Sequence, residues 1–319
     1  MAYDTPRIVV VGAGAMGGLF GGLLAEGGLD VTLLDAWPDH VAAIRANGLR
    51  IVGVGGDRFI PVKATTDAAE LRAADVVLFQ CKAHANLAAA RSVAHLFAGG
   101  TVAITFQNGL GNEETLAGVL GAAAVIGGLT AQAGLVEAPG VVRNYGDLPT
   151  HIGEMAGILS DRTLAIARAF SAHGLPVTAT AEIKREKWKK LLGNVALGAI
   201  SAITDFRSVE IMRVPELRDI VFRLVDEAAA VAAAEGVALD TASSREVLMK
   251  LVTTTGGGTG DSKSSMREDV IRRRRTEIDT IHGAVAARGR QHGIPTPTLD
   301  AMVALVKGLE AGYLGSPPA

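Results

Sequence analysis

The stretch Gly12-Ala13-Gly14-Ala15-Met16-Gly17 constrains this chain more than any other. G-x-G-x-x-G alone is a weak signal, and its weight here comes from its neighbours. Residues 7–11, RIVVV, read as a short strand buried on both faces, and the segment from about Gly17 to Ala25 reads as a helix. Asp30–Asp35 reads as a second strand and completes a β-α-β unit. In that setting Gly12 permits the tight turn, Gly14 lets the backbone approach a pyrophosphate, and Gly17 lets helix and strand pack closely. The N-terminus of that helix offers unpaired N–H groups and a positive dipole end to phosphates, with Ala15 and Met16 in the turn that leads into it. The bland alternative is a glycine turn that only tightens packing, which does not need the complete unit around it.

Asp35 ends the second strand, about twenty residues beyond the glycines, where a carboxylate accepts hydrogen bonds from the adenosine ribose hydroxyls. A carboxylate there repels a 2′-phosphate, and Ala36-Trp37-Pro38-Asp39 supply no nearby cation to receive one. The residues therefore favour NAD over NADP. An aspartate that merely caps the next helix is the competing reading, although Asp39 is placed to fill that cap itself.

Apolar runs recur at Asp75–Gln80 and Thr101–Phe106 between polar helical stretches, as a parallel sheet with covering helices requires. From about Ala122 to Gly153 the texture shifts to short apolar runs with Gly and Pro. We read these as antiparallel strands on the edge of the sheet, followed by a helix at Asp161–His173 and a strand at Leu175–Thr180. After about Ala181 the pattern is helical: Lys184–Ile203, Arg207–Glu235, Ser243–Val252, Met266–His292 and Thr298–Leu314. Strands followed by a run of helices predict two domains, residues 1–181 and 182–319, in a chain of 319 residues that exceeds one ordinary core. The glycines at 256–258 and 260 read as a loop or hinge.

Two loops follow sheet strands at their carboxyl ends, where open α/β folds bind ligands. Lys82 lies in Cys81-Lys82-Ala83-His84, and Asn108 lies in Gln107-Asn108-Gly109. A surface lysine and an ordinary Asn-Gly turn are the competing readings. In the helix beginning near Lys184, Lys190 and Asn194 are four apart and share a face that Gly198 continues, with Lys187 near it. On residues alone, a lysine snorkelling to water explains Lys190. Ser265 with Glu268 forms a capping box, and the same geometry suits a substrate carboxylate. Arg272–Arg275 are flanked by acidic residues and read as an ion-paired surface, with Glu277 in that surface or in the cleft.

Together these motifs resemble the ketopantoate reductases (2-dehydropantoate 2-reductases) over nearly the whole chain. The features that carry the resemblance are Gly12 to Gly17, Lys82, Gln107-Asn108-Gly109, Lys190-Leu191 with Asn194, Ser264-Ser265-Met266 with Asp269, and Thr276-Glu277-Ile278-Asp279. The resemblance implies a Rossmann domain joined to an all-helical domain of the 6-phosphogluconate-dehydrogenase C-terminal type, with the active site between them. It implies reduction of a 2-keto acid, by default 2-dehydropantoate to pantoate in pantothenate biosynthesis, with Lys190 as general acid. Asn108 and Glu277 then bind cofactor and substrate hydroxyls, and Asn194 and Ser265 hold the substrate.

The chain departs from the family pattern twice. NADPH-using members carry a basic residue just after the second strand, where this chain has Asp35. The family tends to place a second asparagine four residues beyond Asn194, where this chain has Gly198, so its substrate is open to another 2-hydroxy or 2-keto acid.

Other classes fit less well. A net charge of −2 gives no reason for a nucleic-acid or membrane partner, and Val195–Thr204 is too short an apolar stretch to span a bilayer. One cysteine, Cys81, and no visible secretory signal fit a cytoplasmic protein. The seven histidines show no metal-ligand spacing. An alanine-rich helical domain is compatible with a homodimer. A non-catalytic NAD(H) sensor would need the glycine motif but not Lys190, Asn194 and Glu277 together.

Overall fold

The computed structural model describes residues 3–315 apart from 147, 241, 243–244, 247–248 and 251–263. The chain divides into two compact units, Met1–Gln107 with Asn112–Ile183, and Asn108–Gly111 with Lys184–Ala319. Residues that interrupt the first unit in sequence thus belong to the second.

The first unit begins with β1 (Ile8–Val11), α1 (Ala15–Glu26), β2 (Val31–Leu34) and α2 (Pro38–Asn47). Three short strands follow: β3 (Leu49–Gly53), β4 (Arg58–Ile60) and β5 (Lys63–Thr65). Then come β6 (Val76–Phe79), α3 (Asn86–Val93), β7 (Val102–Thr105), α4 (Asn112–Leu120) and β8 (Val125–Thr130). The unit closes with β9 (Gly134–Ala138), β10 (Val141–Asn144), β11 (Thr150–Gly153), α5 (Asp161–Ala172) and β12 (Thr178–Ala179).

The main sheet has the order β12-β11-β8-β7-β6-β1-β2-β5, and every neighbouring pair from β8 to β5 is parallel. This is the Rossmann order, with its reversal between β1 and β6, where a crevice for ligands opens at the carboxyl ends. Both faces of the sheet are covered. Ile8 and Val10 of β1 enter one apolar core, while Val9 and Val11 enter the core on the opposite face. That double burial is why β1 reads as an unbroken apolar run instead of an alternation.

A smaller sheet, β4-β3-β10-β9, corrects the expectation that the strands after Ala122 all extend the main sheet. Only β11 pairs antiparallel with β8, and the two-residue β12 lies parallel to β11. The reason lies in α1, whose glycines occur in pairs. A Cβ on Gly21 would lie 2.5 Å from Leu33 of the main sheet. One on Gly18 would lie 2.9 Å from Val142, and one on Gly22 2.7 Å from Ile51, both in the smaller sheet. Each helix-interior glycine costs about 0.5–1 kcal/mol against alanine. Here the cost is offset by two sheets packing directly on one helix.

The second unit contains α6 (Ile183–Thr204), α7 (Ser208–Arg213), α8 (Pro215–Ala234), α9 (Ser265–Ile271), a π turn at Asp279–Gly283, α10 (Ala284–His292) and α11 (Pro297–Leu314). Arg207–Glu235 breaks at Val214, because Pro215 cannot continue a helix and starts the next one at its first position. Met266–His292 also breaks. Arg273 adopts φ 51°, the Arg274 guanidinium pairs with the buried Asp269 at 3.0 Å, and the N–H of Thr276 donates to the buried Glu310 carboxylate at 2.6 Å. The expected loop at Gly256–Gly260, and most of the expected helix Ser243–Val252, lie outside the described residues. Among the described residues no helix is long and apolar enough to cross a membrane, and no cluster of His, Cys, Asp or Glu is arranged to hold a metal.

Candidate active site

The three glycines of the first loop answer to different neighbours. Gly12 has φ +92°, and a Cβ there would lie 2.5 Å from the backbone nitrogen of Cys81. A Cβ on Gly17 would lie 1.8 Å from the carbonyl oxygen of Gly12. The protein itself therefore demands glycine at both positions. Around Gly14, apart from its own neighbours in the chain and helix, no protein atom lies within 4 Å of where a Cβ would be, so the position faces open space. Gly14 is the N-cap of α1; no side chain caps it and no acidic residue occupies the first turn. The N–H groups at the start of this helix and its positive dipole end suit a pyrophosphate.

Asp35 follows β2 and holds this loop from the side. Its Oδ2 accepts the N–H of Ala13 at 2.6 Å, and its Oδ1 accepts the N–H of Trp37 at 2.9 Å. Each carboxylate oxygen retains acceptor capacity for ribose hydroxyls. The one arginine of α2, Arg45, donates instead to the carbonyl of Ala64 and to Glu70. The residues present fit a dinucleotide.

The next two loops are tied together by a buried amide network that the sequence did not reveal. Asn86 donates to Gln107 at 3.0 Å and to Asn112 at 2.9 Å, and Gln107 donates to Asn86 at 2.7 Å and to the carbonyl of Cys81. The Thr105 hydroxyl donates to the Gln107 carbonyl oxygen at 2.8 Å. This sets the backbone on either side of Cys81-Lys82, and Lys82 is half-buried after β6. No local pattern marks Asn86, or links it to Gln107, because the network joins residues some 20 or more positions apart.

The second unit assembles its own constellation. The Lys190 ammonium donates to the Asn108 side-chain oxygen at 2.8 Å. Asn108 is held by the residues after it. Gly109 has φ +86°, and a Cβ there would sit 2.2 Å from the carbonyl of Thr280, which accepts the N–H of Leu110 at 2.8 Å. Thr280 lies in the π turn at Asp279–Gly283. The loop uses its carbonyl as an anchor.

Burial pushes the Lys190 pKa down to about 8; the neighbouring Lys187 charge adds to this, and the Glu277 carboxylate opposes it. The lysine is therefore mostly protonated at neutral pH yet able to give up its proton, as a general acid must be. Asn194 lies one turn along the same helix face, and its side chain makes no hydrogen bond among the described residues. Two turns along is Gly198, where a Cβ would meet only His282 and Met266, each at 3.8 Å.

The serine pair departs from expectation. Ser264, not Ser265, caps α9: its Oγ accepts the N–H of Arg267 at 3.1 Å and donates to the carbonyl of Gly198 at 3.1 Å. Ser264 takes the cap because its backbone is extended, with φ −69° and ψ 153°, while Ser265 is already in the helix and exposed. Ser265 is thus exposed in the first turn of α9, next to the serine that bonds the Gly198 carbonyl. Gly12, Gly14, Gly17 and Asp35 gather in the first unit, and Asn108, Lys190 and Glu277 in the second.

The Rossmann strand order and the glycine loop are those of a dinucleotide-binding fold, and the chain is of the class of nicotinamide-dependent oxidoreductases acting on CH–OH groups. The family model "Ketopantoate reductase PanE/ApbA" matches residues 8–157, and "Ketopantoate reductase PanE/ApbA C terminal" matches residues 182–310. The chain belongs to this family. The 2-dehydropantoate 2-reductase of Halobacterium salinarum is 35% identical over 302 residues, covering 94% of this chain and 98% of the relative. That of Pyrococcus abyssi is 32% identical over 305 residues, covering 96% and 98%. Among solved structures, a PanE/ApbA family ketopantoate reductase from Ralstonia eutropha superposes with a TM-score of 0.88 at 31% identity, covering 97% of this chain and 99% of that one. D-mandelate dehydrogenase with NADH and anilino(oxo)acetate superposes with a TM-score of 0.89 at 25% identity over the same shares.

Proposed function

We propose that the protein reduces a 2-keto acid to a 2-hydroxy acid, by default 2-dehydropantoate to pantoate, with NADH as the preferred donor. The observation that carries this reading is the buried Lys190 ammonium, held on Asn108 with its pKa lowered to about 8. When bound, the nicotinamide supplies a hydride to the keto carbon. Lys190 polarises the carbonyl and gives its proton to the oxygen as the C=O bond becomes C–OH, so that one hydride and one proton complete the reduction. Asn108, by accepting an ammonium hydrogen, fixes the position of the Lys190 head group. Glu277 sustains the charge on the lysine and binds a substrate hydroxyl. Asn194 and Ser265 hold the acid, and Gly12, Gly14, Ala15, Met16, Gly17, Asp35 and Lys82 bind the dinucleotide.

Asp35 and the engagement of Arg45 elsewhere support NADH over NADPH. Gly198 supports a second reading, in which the same chemistry acts on another 2-hydroxy acid. The family amide is absent there, and the free space suits a bulkier or less polar substituent.

Initial rates with 2-dehydropantoate, measured with NADH and NADPH at matched concentrations, test both points. Fast turnover with NADH alone is expected. A preference for NADPH overturns the role given to Asp35. If NADH binds but 2-dehydropantoate is not turned over, the substrate is wrong, and a panel of 2-keto acids, including an aromatic one, decides the second reading.

A further inference from the structure

His40 is fully buried near the start of α2, and both of its ring nitrogens are committed to backbone. Nδ1 accepts the N–H of Gly140 at 3.0 Å, between β9 and β10. A ring nitrogen that receives an N–H carries no hydrogen, so in the neutral ring the proton sits on Nε2. Nε2 lies 3.0 Å from the carbonyl oxygen of Ala13 and donates to it. The Trp37 ring stacks on His40, with centroids 5.2 Å apart and planes 12° from parallel, which holds the imidazole in this orientation.

Ala13 is the second residue of the glycine loop, and its N–H is already fixed on Asp35. The peptide joining Ala13 to Gly14 is planar and trans, so its C=O and N–H point in opposite directions. A carbonyl pinned on His40 therefore sets the direction of the Gly14 N–H, at the residue that faces open space. Asp35 and His40 together clamp Ala13 from both sides of its backbone.

We propose that His40 is a positioning residue for the dinucleotide: by holding the Ala13 carbonyl it aims the Gly14 N–H at the pyrophosphate. The inference rests on the reading that the glycine loop binds a nicotinamide dinucleotide. A merely structural His40 would serve only to staple the β9–β10 connection through Gly140.

Two substitutions separate these roles. In His40→Gln the amide nitrogen falls near the former Nε2 and keeps the donor to Ala13. In His40→Asn the amide oxygen falls near the former Nδ1 and keeps the acceptor for Gly140. The readout is NADH affinity by fluorescence titration, which needs no turnover, with thermal melting alongside. His40→Asn should weaken NADH binding about three- to tenfold, the usual scale of one lost hydrogen bond, while His40→Gln stays within about threefold of the parent. Equal affinities in the two variants, or tighter binding by the asparagine variant, overturn the proposal and leave the proposed activity standing. A parent that binds neither NADH nor NADPH overturns both.

Should either variant fail to melt cooperatively, the unaltered protein labelled with ¹⁵N-histidine decides the matter. A protected Nε2–H proton whose resonance moves when NADH binds supports the role. A proton on Nδ1, or an Nε2–H resonance that NADH leaves in place, overturns it.

Discussion

The two halves of this enzyme encode their sites in opposite ways. In the first unit the loop from Gly12 to Gly17 is contiguous, and steric limits at single residues define it: a Cβ has no room at Gly12 or Gly17. In the second unit Asn108 and Lys190 are 82 positions apart, and their meeting depends on a π turn that anchors Leu110. A binding loop built from backbone can be written in one short motif. A constellation built from distant side chains, as Lys190 and Asn108 are, needs the tertiary fold to exist first.

If that contrast is right, substitutions in the two halves should fail differently. The largest effect is expected from Lys190→Ala, which should lower turnover by about two to four powers of ten while NADH affinity stays near the parent value. Single-turnover rates and NADH titration on the same protein check this. An equal loss of both quantities would erase the division of labour between the units.

The next effect concerns His282, which is fully buried in the π turn, with Nε2 hydrogen-bonded at 2.9 Å to the Val195 carbonyl. Burial lowers its pKa from the ordinary 6.5 to about 4. The unfolded chain therefore takes up a proton near 6.5 that the folded protein refuses until about 4. Stability from this residue is complete above about pH 6.5 and is lost as the pH falls toward 4, by on the order of 3 kcal/mol. Chemical denaturation across that window should reveal the slope, and His282→Gln should flatten it. An unchanged slope in the variant would assign the acid sensitivity to other groups.

A smaller effect is expected in the pH profile of the reduction. The rate should fall above about pH 8 as Lys190 loses its proton. Lys187→Met removes a repelling charge and should move the midpoint upward, whereas Glu277→Gln removes an attracting one and should move it downward. Profiles that coincide in all three proteins would mean that another group titrates.

The smallest effect is Gly198→Ala. The Cβ meets ordinary contacts only, so replacing a helix-interior glycine should stabilise the fold by about 0.5–1 kcal/mol, read by denaturation. A rise in the Michaelis constant for the substrate, with the turnover rate held, would identify the space as substrate territory. A destabilised variant would show that the helix needs the glycine for itself.

The same contrast explains what was legible in the sequence. The β-α-β unit, the glycine loop and the position of Asp35 could all be read, because local period and sterics determine them. The small second sheet was not legible. Its strands β3, β4, β9 and β10 are brief and come from two distant segments, and the signal for them lies in the paired glycines of α1, not in the strands. The helical breaks divide in the same way. Pro215 announced one, while the other depends on Asp269 and Glu310 capturing distant groups. Lys190 looked like a surface lysine until its partners were in place, and Ser265 looked like a cap because its neighbour Ser264 has the same chemistry.

The membership of Asn108–Gly111 in the second unit has a consequence for how the chain is made and how it can be cut. During synthesis the ribosome releases this loop about 170 residues before Thr280, so its anchor cannot form until most of the polypeptide has emerged. A fragment beginning at Lys184 would carry the lysine but not the asparagine that holds it. In evolutionary terms the two units cannot be shuffled as independent modules by recombination at residue 183 alone. An exchange that kept the helical half and replaced the rest would have to bring a matching four-residue loop from the new donor.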